Sequence, residues 1–150
     1  MAKKEDLESF AQKVIDEYGR VDYLINNAAP LFKGITECTY EEFNYALRVG
    51  VSAAFLLTQL FMPYFAPGAS IINISSVGGS VPDISQIAYG TSKAAINYLT
   101  KLIAVQEAKN HIRCNAVLPG MTATEAVEKH LSDEFRDLFL RHIPLGRMGL

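Results

Sequence analysis

Cysteine is scarce. Cys38 and Cys114 are the only two, and they lie far apart in the chain. That excludes a disulfide framework and any Cys-based metal pattern, and it fits a reduced, cytoplasmic protein. His111, His130 and His142 show no ligand-like grouping either, so no metal site is expected. Basic charge is not in excess: the formal net charge is −2, and neither sign forms a long run. Nucleic-acid binding, which needs a basic face, is therefore not expected. Long apolar runs are missing too. The longest, Val51 to Ala66, contains Ser52, Thr58, Gln59 and Pro63, which makes it too short and too polar to span a bilayer, so no membrane partner is expected. The opening Met1-Ala2-Lys3-Lys4-Glu5-Asp6 is too polar to read as a signal peptide.

What is present is the composition of an ordinary globular domain, with 49% hydrophobic and 20% charged residues in 150. One domain, 1–150, is expected. Leu7, Phe10, Ala11, Val14, Ile15 and Tyr18 recur at helical spacing before Gly19, which predicts a helix over 5–18. Val21 to Ile25 reads as a short buried strand. Thr39 and Glu42 form a capping-box pattern ahead of an apolar helix over 40–64. Pro67-Gly68 predicts a turn, and Ser70 to Ile74 a strand whose apolar run suits a sheet covered on both faces. Gly78, Gly79 and Pro82 mark a loop. A helix over 86–108 follows, then a strand from Ile112 to Leu118 closed by Pro119-Gly120. Residues 122–142 read as mostly helical, with a break near Ser132 that could cap a second segment. Alternating helices and strands imply parallel strands with crossovers, a doubly wound α/β sheet. Ligands in such sheets bind beyond the C-terminal ends of the strands, which here means Asn26-Asn27, Ser75-Ser76 and Pro119-Gly120.

Tyr89 and Lys93 stand four apart in a predicted helix, so both side chains lie on one face. A nearby ammonium favours the ionised form of a phenol, and a phenol so assisted can exchange a proton with an alcohol or carbonyl oxygen. Alone, Tyr-x-x-x-Lys occurs by chance in many helices. Ser76, at a strand end 13 residues before Tyr89, adds a hydroxyl that could bind the same oxygen. Its plainer role is to satisfy loop backbone.

Four motifs, in order and at spacing, resemble the short-chain dehydrogenase/reductase family: Asn26-Asn27-Ala28-Ala29, Ile72-Asn73-Ile74-Ser75-Ser76, Tyr89-Gly90-Thr91-Ser92-Lys93 and Asn115-Ala116-Val117-Leu118-Pro119-Gly120. The resemblance spans the chain. It implies a Rossmann-like fold and an oxidoreductase that interconverts a secondary alcohol and a ketone using NAD or NADP. Tyr89 would be the general acid/base. Lys93 would hold the ribose hydroxyls of the cofactor and favour the phenolate, and Ser76 would orient the substrate oxygen. The cofactor would be lined by Asn27, Ala28, Ala29, Tyr89, Lys93, Pro119, Gly120, Thr122 and Thr124. The family also implies a small-molecule substrate and a homodimer or homotetramer. The apolar circumference of helices 40–64 and 86–108 agrees with such an assembly, because Phe55, Leu56 and Leu57, or Ile96, Tyr98 and Leu99, cannot all face one sheet.

Within the family, 72–127 most resembles bacterial hydroxysteroid dehydrogenases acting on bile acids, the 7α type in particular. Ile84, Ile87, Ala126, Val127, Leu131 and Phe135 could wall an apolar substrate, or be plain packing. Two other readings stay open. One is an inactive member that keeps the fold. The other is a reductase of another carbonyl, such as an acyl-carrier ketone, although no basic cluster flanks the site.

Three departures stand against the pattern. Ala29 replaces the usual glycine. Gly50 stands where the family has a catalytic asparagine that helps hold a relay water, and restoring it by Gly50→Asn is expected to raise turnover or leave it unchanged if the side chain fits. The glycine-rich pyrophosphate turn is missing: Gly19, Gly34 and Gly50 are isolated, and Gly78-Gly79 follows the wrong strand. The chain is thus expected to be a fragment, an incomplete Rossmann-type domain that binds nicotinamide cofactor poorly by itself.

Overall fold

The structure is a computed structural model that describes residues 3–28, 34–82, 86–125, 127 and 132–149. Helix α1 (Lys4–Tyr18) ends at Gly19, whose φ of 68° closes the helix with its N–H on the carbonyl of Ile15. Strand β1 (Val21–Asn26) follows. Thr39 caps α2 (Tyr40–Leu47) through the expected reciprocal bonds with Glu42. The run continues through a π turn (Arg48–Ser52), α3 (Ala53–Phe61) and a 3-10 turn (Met62–Tyr64). Strand β2 (Phe65–Ile74) leads to a 3-10 turn (Val77–Gly79), then α4 (Ile87–Glu107) and β3 (Arg113–Val117). Asp133–Leu140 forms α5.

Two expectations change in detail. Helix 40–64 contains a π turn, where the N–H of Ala53 reaches back to the carbonyl of Arg48. As one helical run, Tyr40–Tyr64 holds an 18-residue window of mean hydropathy 1.4 and is, by length and composition alone, sufficient to cross a membrane, which Val51 to Ala66 by itself is not. Ala46, Val49, Ala53, Leu57 and Phe61 on this run are buried within the domain. Strand β2 also starts at Phe65, not Ser70. The Pro67-Gly68 turn becomes an irregularity inside it, where the pairing with β1 shifts register between Val21 and Tyr23.

The three strands are parallel, in the order β1-β2-β3. Register stacks Leu24, Ile71 and Cys114 in one row and, two positions on and so on the same face, Asn26, Asn73 and Ala116 in another. The first row is buried against Leu7 and Ala11 of α1, Leu57 and Phe61 of α3 and Ile103 of α4. These helices cover one face; on the other, Tyr23, Ile25 and Val117 are exposed. The chain divides into two compact units, Met1–Leu118 and Pro119–Leu150. In the second, Thr122 bridges Gly149, the N–H of Ala123 donates to the Gly149 carbonyl, and α5 follows.

Candidate active site

Parallel register brings the ends of β1 and β2 to the same edge of the sheet, because Asn26 pairs with Asn73. Asn27 is exposed just beyond β1, and Ser75 and Ser76 lie just beyond β2. Below them the row is polar and closed. Asn73 is fully buried; its Oδ1 accepts from Asn26 Nδ2 at 2.8 Å and its Nδ2 donates to Thr100 Oγ1 at 2.8 Å. Thr100 in turn donates to the Ile96 carbonyl at 2.8 Å. A single amide thus ties β1 to β2 and β2 to α4. The four motifs by themselves do not disclose this role. Its signal was an amide inside the apolar run Ile71-Ile72-Asn73-Ile74, since a polar group in such a strand is kept only if hydrogen-bonded.

Helix α4 carries Tyr89 and Lys93 across this edge. Tyr89 is half-buried and Lys93 is buried, with its ammonium 5.4 Å from the Tyr89 ring centroid and donating to the Ile74 carbonyl at 2.5 Å. Burial pulls the Lys93 ammonium below the ordinary lysine range. The Lys93 backbone is held as well, since Ser75 Oγ donates to its carbonyl at 3.1 Å. Ser76 caps the 3-10 turn: its Oγ accepts from the Gly78 N–H at 3.1 Å. That is the plainer role foreseen for it, and it leaves the hydroxyl proton of Ser76 free to donate elsewhere. Ser76 and Tyr89 also share a neighbourhood. A Cβ placed on Gly78 would lie 3.5 Å from Ser76 Oγ and 4.0 Å from Tyr89 Cε1.

The other residues singled out in the sequence divide four ways. Ala28 is half-buried beside a small cavity of about 10 Å³ that is lined by Asn27, Val49, Gly50 and Ile74 among others. Pro119, Gly120, Thr122 and Thr124 belong to the second unit. There Thr122 Oγ1 donates to the Gly120 carbonyl at 3.3 Å, and Thr124 Oγ1 accepts from the Val127 N–H at 3.3 Å. Ala29, Ile84, Ala126, His130, Leu131 and the side chain of Phe135 lie outside the described residues. Gly50 sits in the π turn, buried, where a Cβ would meet Ser92 Oγ at 3.0 Å and Ser92 Cβ at 3.1 Å. Ser92 is itself fully buried and bonded to the Tyr89 carbonyl. The expectation that Gly50→Asn raises turnover or leaves it unchanged was conditional on fit, and the fit is tight: the first carbon of any side chain already meets Ser92 of α4 at 3.0 Å.

A parallel sheet with Ser, Tyr and Lys gathered at its C-terminal edge defines a class of dinucleotide-dependent oxidoreductases, and the chain belongs to the short-chain dehydrogenase/reductase family. A family model described as Enoyl-(Acyl carrier protein) reductase matches residues 1–150. Among individual relatives, the chain is 44% identical to a 7alpha-hydroxysteroid dehydrogenase of Clostridium sardiniense, over 98% of this chain and 58% of that protein. It is 46% identical to the 7alpha-hydroxysteroid dehydrogenase of Paraclostridium sordellii, over 91% of this chain and 53% of that protein. It is 36% identical to a 3-oxoacyl-[acyl-carrier-protein] reductase of Thermotoga maritima, over 97% and 60%. A mutant of a Serratia marcescens short-chain dehydrogenase/reductase superposes with TM-score 0.88 at 29% identity, covering 99% of this chain and 60% of that one. The Pseudomonas aeruginosa RhlG/NADP active-site complex does so with TM-score 0.88 at 24% identity, over 99% and 62%, a likeness of fold. The chain thus spans little more than half the length of the curated relatives it matches.

Proposed function

We propose that the protein is an NAD(P)-dependent oxidoreductase that interconverts a secondary alcohol and a ketone, with a hydroxysteroid of the bile-acid class as substrate. The single observation that carries this is the buried Lys93 ammonium, 5.4 Å from the centre of the Tyr89 ring, beside Ser76 at the sheet edge. The substrate class rests on the likeness to the two 7alpha-hydroxysteroid dehydrogenases.

The donor set fits the ribose-and-nicotinamide half of such a cofactor. Tyr89, Lys93 and the exposed Asn27 would hold it, and the family resemblance implies Ala28, Ala29, Pro119, Gly120, Thr122 and Thr124 as further cofactor contacts. Among the described residues no glycine turn is free to cradle a pyrophosphate, because Gly79 of the Gly78-Gly79 pair is packed against the α4 backbone. When bound, the nicotinamide takes or gives the hydride. In the oxidative direction Tyr89 takes the alcohol proton; in the reductive direction it gives a proton to the carbonyl oxygen. The Lys93 ammonium would hold ribose hydroxyls of the cofactor beside the Tyr89 ring. Ser76 donates its free proton to the same substrate oxygen.

The native protein is assigned to the cytoplasm. It assembles as a homodimer or homotetramer, with neither membrane nor nucleic acid as partner. A second reading, reduction of an acyl-carrier ketone, is favoured by the family description and the Thermotoga maritima relative. One assay separates the readings. The native protein is given NAD or NADP with a 7α-hydroxy bile acid, and NADH or NADPH with a 3-oxoacyl carrier, while the reduced nicotinamide is followed by absorbance. Bile-acid turnover is expected. Turnover of the acyl substrate alone supports the second reading, and turnover of neither marks an inactive family member.

A further inference from the structure

The loop after Ser76 is pressed against the helix bearing Tyr89 and Lys93 more closely than any side chain allows. A Cβ on Gly79 would lie 2.6 Å from the Lys93 carbonyl carbon, 2.7 Å from its oxygen and 2.9 Å from the Ala94 nitrogen. All three are backbone atoms, so none can swing aside. A Cβ on Gly90, on the helix side of the same seam, would meet the Gly78 carbonyl oxygen at 3.3 Å. Asn97 Nδ2 donates across the seam to the Gly79 carbonyl at 3.4 Å. The turn is in turn fastened to Ser76, since the Gly79 N–H donates to the Ser76 carbonyl at 3.0 Å and the Gly78 N–H to Ser76 Oγ at 3.1 Å.

We infer that Gly79 is a positioning residue. By letting the turn touch the Lys93 backbone, it sets the distance at which the Ser76 hydroxyl faces Tyr89. Any side chain at 79 must retreat to ordinary contact, at 3.4 Å or beyond. The turn is the partner that moves, because α4 is a 21-residue helix anchored in the core by Ile96 and Ile103, whereas the turn has only three residues. Ser76, bonded to the turn at two atoms, moves with it, and the substrate oxygen is then no longer held by Ser76 and Tyr89 together.

This inference rests on the proposed reactive centre, and a double-mutant cycle tests it in the native protein. Turnover is measured for wild type, Gly79→Ala, Ser76→Ala and the double variant, each per folded molecule as counted from its unfolding transition. Gly79→Ala is expected to lower kcat by about 10–100-fold, the scale of a misplacement near 1 Å. In the Ser76→Ala background it is expected to cost almost nothing more, a non-additivity that general loosening of the fold would not produce. Additive losses, or full turnover in Gly79→Ala, overturn the inference. No loss in Ser76→Ala overturns the reactive centre itself, and the inference with it. If Gly79→Ala does not fold, Gly90→Ala replaces it in the same cycle with a milder push on Gly78. A smaller loss that vanishes without Ser76 is expected, and a loss that persists without Ser76 is contradictory.

Discussion

Lys93 donates its ammonium to the carbonyl oxygen of Ile74, two residues before Ser76, at 2.5 Å. The cation is therefore held under the end of β2, out of water, instead of reaching into solvent as a surface lysine does. Its charge is costly there, and the cost sets a pH dependence. Burial lowers the Lys93 pKa. Between that lowered value and the ordinary lysine value near ~10.4, the unfolded chain carries a proton on Lys93 that the folded chain has lost, so stability rises with pH across that window. Lys93→Met has no group to titrate. Its melting temperature relative to wild type should fall as pH is raised from neutrality toward that value, because wild type gains while the variant does not. Thermal melts of both proteins across this range check it, and a constant difference would contradict it.

Gly50→Asn should destabilise. Its Cβ starts 3.0 Å from Ser92 Oγ, and Ser92 is fully buried. Overpacking of this kind costs about 1–3 kcal/mol. Gly50→Ala should show most of the same loss, since the first carbon makes the contact. Urea midpoints measure both, and an unchanged Gly50→Asn midpoint would refute the close fit.

The buried amide of Asn73 makes a chemical prediction. Asn73→Leu leaves Asn26 Nδ2 without its acceptor and should cost about 1–3 kcal/mol. Asn73→Asp keeps that acceptor but puts a carboxyl group where Thr100 Oγ1 and Cys114 Sγ receive the amide protons. Its cost should grow as pH rises through the carboxyl range, because ionising a fully buried group is the larger penalty. Denaturant unfolding of both variants at acid and neutral pH decides. A pH-independent Asn73→Asp would show that the site admits water.

Tyr98, Leu102 and Val105 are exposed at i, i+4 and i+7 along α4, and Phe55 is exposed on α3, so an apolar helical face is left open in the single chain. The native protein is expected to sediment as a dimer or tetramer, and Val105→Glu is expected to shift it toward monomer without lowering the unfolding midpoint of the subunit. A native protein that sediments as a monomer would count against this assembly.

Much of the fold was legible locally. The Thr39–Glu42 capping box, the Gly19 stop and the apolar period of α1 are signals carried by neighbouring residues, and each marked its element within a few positions. Ser76, Tyr89 and Lys93 were legible as candidates because they belong to contiguous motifs. What escaped was set by contacts distant in sequence. The π turn at Arg48–Ser52 has no local marker. Gly79 read as loop punctuation, since only its approach to Lys93 shows what the missing Cβ is for. Gly50 read as a vacancy, since only Ser92 shows that the space is taken. The apolar run Ser70 to Ile74 suggested a sheet covered on both faces, yet the described helices cover only one and leave Tyr23 and Ile25 of β1 exposed.

The most direct test of the reactive centre is Tyr89→Phe in the native protein. It deletes the transferable proton and leaves the ring beside the Lys93 ammonium. Proton transfer by a positioned group contributes about 10²–10⁴-fold, so turnover should fall at least that far while affinity for the nicotinamide cofactor stays near wild type. Ser76→Ala should cost less, and Lys93→Ala should impair both turnover and cofactor binding. If Tyr89→Phe keeps more than about a tenth of wild-type turnover, well short of the expected loss, Tyr89 is not the acid/base and the account is wrong.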